Sequence, residues 1–248
     1  MIYQYQPENW QDLQNKVSDI LAICGLQSEV EKDINTVRGN VEIDVYALDP
    51  STPEQLVYVC ECKHWKDAVP KSVVHSFRTV MSDIGAHVGF VIAKSGFQSG
   101  AYDAANNSNI KLLTWYEFQE YFIDRWKEGR YHELKQLFED LFEYFDYLSA
   151  PIGNSISGNQ ERMVEYNELL KRFSAQAAAN PWSRMVGETT FPPELPFTET
   201  EIDSSGLTKE IVFKDYSSLF NWFESQTKLG ILEFQGFVSK YRTGAVGE

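Results

Sequence analysis

The sequence predicts an α/β fold in the order α-β-β-β-α-β-α-β: a mixed sheet flanked by helices, plus a mainly helical C-terminal region. Three observations carry this expectation. Apolar residues recur with helical period at 8–24 and again after Pro70. Short alternating or continuously apolar runs lie between and after those stretches. Beyond about residue 127 strand-like runs become scarce and long amphipathic stretches dominate.

Taken in order, "ENWQDLQNKVSDILAIC" (8–24) sets Trp10, Leu13, Val17, Ile20 and Leu21 on one helical face, and Gly25 ends the helix. "SEVEKDINTV" (28–37) reads as a polar edge strand, with Arg38-Gly39-Asn40 as the turn. "VEIDVYAL" (41–48) alternates, a proline-containing loop follows, and "LVYVCECK" (56–63) is the third strand. "KSVVHSFRTVMSDIGA" repeats apolar residues at helical spacing, and "HVGFVIA" (87–93) is a fully buried strand. "SGFQSGAYDAANNSN" (95–109) predicts a turn and a helix, "IKLLTW" (110–115) the last strand, and "YEFQEYFIDRW" (116–126) a closing helix. Hairpins first and crossovers later imply a mixed sheet.

Residues 1–127 are expected to form one domain and 128–248 a second. In the latter, 133–148 and 161–179 read as amphipathic helices joined by a Gly/Ser/Asn loop. Residues 180–206 show no periodicity. Further on, "KEIVFKD" suggests a strand, "YSSLFNWFESQ" a short helix, and "GILEFQGFVSKY" another strand or helix. The aromatics Phe138, Phe142, Phe145 and Tyr147 read as core or as a dimer contact.

A chain of 248 residues, 43% hydrophobic and 14% aromatic, is globular and long enough to bury a core. No apolar run approaches the roughly 20 residues of a membrane span, and the N-terminus lacks a secretory pattern, so a cytoplasmic location without membrane contact is expected. Cys24, Cys60 and Cys62 make no disulfide framework, and the histidines at 64, 75, 87 and 132 give no zinc spacing. Net charge is −14, and both halves are acidic: residues 1–127 carry 17 Asp and Glu against 11 Lys and Arg, the remainder 19 against 11. The footprint of a general nucleic-acid binder is therefore missing, although a local basic groove is compatible with that total.

Ionised residues interrupt two of the predicted strands. By alternation, Glu42, Asp44, Tyr46 and Leu48 share one face of 41–48, opposite Val41, Ile43, Val45 and Ala47. In 56–63, Val57, Val59, Glu61 and Lys63 share a face. If the two strands pair, Asp44, Glu61 and Lys63 project to one side. Two carboxylates and an ammonium form a costly patch unless they are paired or bind a metal. Oxygen ligands of this kind suit Mg²⁺ or Mn²⁺, which would polarise a phosphodiester, while Lys63 orients water and offsets transition-state charge. On spacing alone, a solvated face with an ordinary Glu61–Lys63 pair stays open.

"EIDVYA" followed by "YVCECKHW" resembles the PD-(D/E)xK nuclease superfamily, particularly its Mrr-like restriction-endonuclease branch, and "VGFVIAKSGFQSGAYDAANNSNIKLLTW" continues the likeness. It covers roughly residues 8–118 and implies a restriction-endonuclease-like fold. By that resemblance Asp44, Glu61 and Lys63 are catalytic, and the metal ligands are Asp44, Glu61 and the Cys62 backbone carbonyl. Relatives often add an acid from the first helix. Here Gln11 aligns there beside Asp12, leaving Glu8, Asp12, Glu29 and Glu31 as alternatives, and the Pro that often precedes the Asp is absent.

Candidate DNA contacts are His64 (with Trp65 beside it), Lys71, Arg78, Lys94, Ser95 and Gln98. A turn, a cap or a solvated helix face explains each of them as well. The resemblance implies a Mg²⁺-dependent endonuclease acting on DNA in restriction or anti-phage defence, and two active sites in a homodimer are the simple route to a double-strand break. The competing expectation is a nuclease-fold interaction module of a multi-component complex, with residues 128–248 binding a protein partner.

Overall fold

The computed structural model describes residues 1–242 apart from 52, 186–190 and 204. The chain divides into two compact units, Met1–Gly129 and Arg130–Glu248.

In the first unit, helix α1 (Trp10–Ile23) starts where the Asn9 side chain accepts the Asp12 N–H at 2.9 Å, and it ends at Cys24 before a left-handed Gly25. Leu13, Val17, Ile20 and Leu21 are buried as their spacing predicts, but Trp10, at the first turn, is 47% exposed. Strands β1 (Gln27–Thr36), β2 (Gly39–Asp49) and β3 (Leu56–Lys63) follow. Next come α2 (Lys71–Ile84), β4 (Val88–Ala93), α3 (Ser99–Ala105), β5 (Ile110–Thr114) and α4 (Trp115–Phe142).

The five strands form one sheet in the order β1-β2-β3-β4-β5. The β1–β2 and β2–β3 pairs are antiparallel, while β3–β4 and β4–β5 are parallel. The mixed sheet expected from hairpins followed by crossovers is therefore the one observed. β1 alternates between exposed and half-buried along its length, as an edge strand does, whereas β4 is buried from Gly89 to Ala93 between two neighbours. α1 packs on β1, β2 and β3. Around Phe90 of β4, the α4 rings Phe118, Tyr121 and Phe122 lie with centroids 5.7, 5.5 and 5.6 Å away, each pair adding about 0.5–1.5 kcal/mol beyond its burial. A separate cluster joins Val59, Val91 and Ala93 to Val74, Phe77 and Met81 of α2 and to Ala101 and Ala104 of α3.

Strict alternation fails in one place. Ile43 was expected on the face of Val45 and Ala47, yet it belongs to the α2-side cluster, with Val41 and Ile34 packed against it. The change falls where the β1–β2 register passes from Val30↔Val45 to Lys32↔Ile43 and the intervening Glu31 takes φ 53°. A left-handed glutamate costs about 1–2 kcal/mol and lets the hairpin twist at that point.

The closing helix is longer than its pattern suggests. The stretches 116–126 and 133–148 were expected as separate helices, but α4 runs unbroken from Trp115 to Phe142 and ends in a short 3₁₀ turn, Glu143–Phe145. Gly129, which weakens the pattern, is there for a steric reason: a Cβ at that position would lie 1.8 Å from the Ile23 carbonyl oxygen. Near the same end of α1, Arg125 donates to the Cys24 carbonyl at 2.6 Å and to buried Asp49 at 2.8 Å, tying α4 to α1 and β2.

The second unit begins within α4. It contains α5 (Ala150–Ile156), α6 (Gln160–Arg172), α7 (Ser174–Ala178), α8 (Pro181–Met185), the hairpin β6 (Phe197–Ile202) with β7 (Thr208–Phe213), and α9 (Tyr216–Arg242). Three expectations change here. α5 occupies the presumed Gly/Ser/Asn loop, β6 lies within the segment without periodicity, and α9 replaces two short elements by one helix. Gly230 breaks the α9 pattern because its neighbours are close, with Leu141 and Phe173 side-chain atoms 3.0 Å from where a Cβ would sit. Phe138 is buried and Phe145 half-buried, as core residues should be, whereas Phe142 and Tyr147 are exposed.

Two outcomes follow from these contacts. Gly129→Ala should cost about 2–3 kcal/mol in urea unfolding, because backbone at Ile23 must move to admit the methyl group. Asp49, hydrogen-bonded by Arg125 and Ser51, has its carboxyl held down to about 2. A depressed acid stabilises the fold above its unfolded value near 4 and loses that contribution as pH falls. Asp49→Asn should therefore destabilise by about 2 kcal/mol at pH 7, with the gap closing between pH 4 and pH 2 in paired urea midpoints.

Candidate active site

The site forms where two strands part. The last β2–β3 pair is Val45↔Cys60, after which Glu61, Cys62 and Lys63 are paired only with Val91, Ile92 and Ala93 of β4. The Cys62 N–H, left without a β2 carbonyl, is taken by the Asp44 carboxylate at 2.6 Å. That bond aims Asp44 across the gap. Lys63 Nζ then lies 3.9 Å from Asp44 Oδ2 and forms a close ion pair with Glu61. The three side chains are 21%, 27% and 16% exposed for Asp44, Glu61 and Lys63, buried enough to strengthen their fields yet open to solvent.

Two carboxylates thus share one ammonium. Burial pushes the Glu61 carboxyl above its ordinary value and the Asp44 charge adds to this, while Lys63 partly offsets both. Cys60 and Cys62 are buried thiols whose pKa is raised mainly by desolvation, which suits strand packing and not thiolate chemistry. Cys24 is likewise buried and pushed up to about 12.

Among the described residues, no group of three or more His, Cys, Asp or Glu side chains is placed to hold a metal ion. None of the four acids considered as an extra ligand hydrogen-bonds or ion-pairs with the triad. Asp12 receives the Glu8 N–H at 2.8 Å and pairs with Lys16. Although burial opposes it, those partners hold the Asp12 carboxyl below its usual value. Glu29 pairs with Lys32 at 2.6 Å, and Glu8 and Glu31 are exposed. Two hard carboxylate oxygens with a single shared cation nevertheless fit Mg²⁺ or Mn²⁺, ions that use one or two carboxylates and fill the remaining positions with carbonyl, water and substrate oxygens.

The loops after β3 and β4 are stitched together beside the triad. Lys94 N–H donates to the Lys63 carbonyl at 3.0 Å, Val69 N–H to Gly96 at 2.9 Å and Gln98 N–H to Val69 at 3.0 Å. Ser95 Oγ donates to the Trp65 carbonyl at 2.8 Å, and Gln98 Nε2 reaches the Ala68 carbonyl at 3.5 Å. Ser95 and Gln98 are therefore occupied in the turn itself. Arg78 is also engaged, capping α3 through the Ala104 carbonyl. His64 Nε2 lies 2.9 Å from the Pro7 carbonyl and 3.2 Å from Lys94 Nζ. Since a carbonyl only accepts, Nε2 carries the proton there, and the Lys94 ammonium meets a donor where it needs an acceptor. Lys71 is exposed at the first residue of α2.

Sequence reasoning gave no part to the face of α2 that carries Ser72, Ser76 and Val80, which lines a cleft with Glu61, Lys63 and Trp65. Their fourfold spacing beside Val73 and Phe77 was the available signal.

A five-stranded mixed sheet, helices on its faces, and an Asp/Glu/Lys group at the end of the third strand define a restriction-endonuclease-like domain. Residues 6–122 match the family model Mrr_cat, described as restriction endonuclease. The match lies wholly within the first unit, which therefore carries an Mrr-like domain and is of nuclease type. No curated protein matches the chain. Among solved structures, the crystal structure of AF1548, a protein of unknown function, is similar at 16% identity and a TM-score of 0.40, over 73% of this chain and 100% of that one. That score is too low to define a common fold.

The charges within the triad should be separable by titration. Lys63→Met should raise the Glu61 pKa further and Asp44→Asn should lower it, read from side-chain carboxyl chemical shifts.

Proposed function

We propose that the first unit is a metal-dependent endonuclease that hydrolyses DNA phosphodiester bonds with Mg²⁺, or with Mn²⁺ in its place, in restriction or defence against foreign DNA inside the cell. The observation that carries this reading is the convergence of Asp44, Glu61 and Lys63 at the end of β3, within a segment matching a restriction-endonuclease family. Asp44, Glu61 and the Cys62 carbonyl would hold the ion.

When bound, the ion supplies Lewis-acid polarisation of the scissile phosphodiester and a more acidic water. The remaining work falls to the chain. Lys63, held by both carboxylates, orients the attacking water and offsets charge accumulating on the phosphoryl oxygens. Asp44 keeps its orientation through the Cys62 N–H, so the site is arranged before substrate arrives. Lys94 and Lys71 are the cations best placed to meet DNA phosphates, with His64 beside Lys94. Ser95, Gln98 and Arg78 shape the loops and helices around them. The second unit would supply a dimer contact or a docking site for a protein partner, and a dimer would bring two sites to the two strands.

A second reading is favoured by one observation, the net charge of −14. In it the domain is an interaction module, and a partner bound through residues 128–248 supplies the DNA contacts. Incubation of the purified chain with plasmid and Mg²⁺ or Mn²⁺ decides between them. The nuclease reading expects cleavage by the wild type and a loss of roughly 10²–10³-fold in Asp44→Ala and Lys63→Ala. Equal inactivity of all three, with a tightly co-purifying protein, would favour the module.

A further inference from the structure

Beside the triad lies an open cleft of about 340 Å³, lined by Lys63 and Trp65 and by Ser72, Ser76, Phe77 and Val80 of α2, with Glu61 at the same edge. Ser72, Ser76 and Val80 follow one another at four-residue intervals and so form a single stripe along the helix. Trp65 is 45% exposed. Its backbone is pinned by Ser95, and the Lys63 ammonium lies 5.5 Å from the ring centroid. A large aromatic side chain whose backbone is anchored, and which stays nearly half exposed beside Lys63, offers a flat surface for something to stack on.

We propose that this cleft receives a nucleobase of the strand being cut, unpaired from its complement, stacked on Trp65 with its polar edge toward the Ser72 and Ser76 hydroxyls. The proposal rests on the nuclease reading above and adds the substrate form: single-stranded or locally opened DNA.

Three arguments select a base as the occupant. A phosphate is disfavoured, because the cleft's ammonium is already shared by two carboxylates and Glu61 lies at the same edge. A base suits an apolar wall bearing a few hydroxyls, since its faces are apolar and its edge carries donors and acceptors. The cleft also shares Glu61 and Lys63 with the triad, so a nucleotide whose scissile phosphate lies at an ion held by the carboxylates has its base within range of the cleft. In a duplex both faces of each base are covered by neighbours, hence the base must leave the stack to meet the indole. This arrangement also suits an acidic chain of net charge −14, because stacking holds a strand without relying on many phosphate contacts.

The test uses the full chain in EDTA, so that bound DNA is not cut, with labelled single-stranded and fully paired oligonucleotides followed by fluorescence anisotropy over a salt series. Wild type should prefer the single strand by roughly tenfold or more. Trp65→Ala should lose roughly tenfold of single-strand affinity without changing the slope against log salt, and Trp65→Phe should recover most of it. Ser76→Tyr, which fills the cleft from an exposed helix position and leaves the indole intact, should lose affinity to a similar degree. Overturning results are absence of DNA binding by wild type, equal affinity for the two oligonucleotides, or single-strand binding by Trp65→Ala and Ser76→Tyr within twofold of wild type. Addition of Mn²⁺ to the same samples separates this idea from the one beneath it. Tryptophan-dependent binding without cleavage would retain the cleft and refute the nuclease, whereas cleavage that is indifferent to Trp65 would refute the cleft alone.

Discussion

The parting of β2 from β3 after Val45↔Cys60 is the constraint on which the site depends. A ladder continued to the end of β3 would have satisfied the Cys62 N–H with a backbone carbonyl and left Asp44 free to face solvent. Because the ladder stops, a buried donor needs an acceptor, and the Asp44 carboxylate supplies it at 2.6 Å. One hydrogen bond thereby completes the sheet edge and fixes a candidate metal ligand within 3.9 Å of the lysine that follows on the next strand. The left-handed Glu31 lies on β1 between the pairs flanking Asp44, so local backbone strain lies one residue beyond the last β2–β3 pair.

The layers around this edge keep it rigid. β4 lies between β3 and β5 and is buried along nearly all its length, so Glu61 and Lys63 pair with a strand of the sheet's interior. α2 contributes Val74, Phe77 and Met81 to the cluster beneath, while its Ser72–Ser76–Val80 stripe borders the cleft. The loops after β3 and β4 are bonded to each other and not left to solvent, which fixes Trp65 and Lys94 relative to the triad. Overall negative charge is compatible with such a site, since carboxylates that hold a cation contribute to the total without repelling substrate once the cation is bound.

Much of the first unit was legible because its elements obey one period each. β3 begins and ends where its residues predict, Gly25 ends α1, and Glu61 and Lys63 follow one another by twos along β3, whereas Asp44 comes within 3.9 Å of Lys63 beside the place where alternation in β2 fails. Two kinds of feature escaped that counting. One is where glycine is retained for close approach: Gly129 and Gly230 look like breaks but sit inside long helices, because neighbouring atoms leave no room for a Cβ. The other is any position where alternation changes, as at Ile43, since a twist in one strand leaves no mark on the apolar pattern. Ser95, Gln98 and Arg78 were legible as polar residues near the site but not as residues already engaged, because their partners are backbone carbonyls distant in sequence. In the second unit α5 and β6 are short and rich in small or polar residues, so their pattern alone was too weak to declare them.

The central claim is that Asp44 and Glu61, brought together by the end of the β2–β3 ladder, seat one divalent ion. Titration of the full chain with Mn²⁺, monitored by the electron paramagnetic resonance signal of the free ion, tests it without reference to any nucleic acid. The account predicts one bound ion per chain in the wild type and loss of that site in Asp44→Asn and in Glu61→Gln. Wild-type protein that leaves Mn²⁺ free at millimolar concentration, or binding that survives both substitutions, would contradict it.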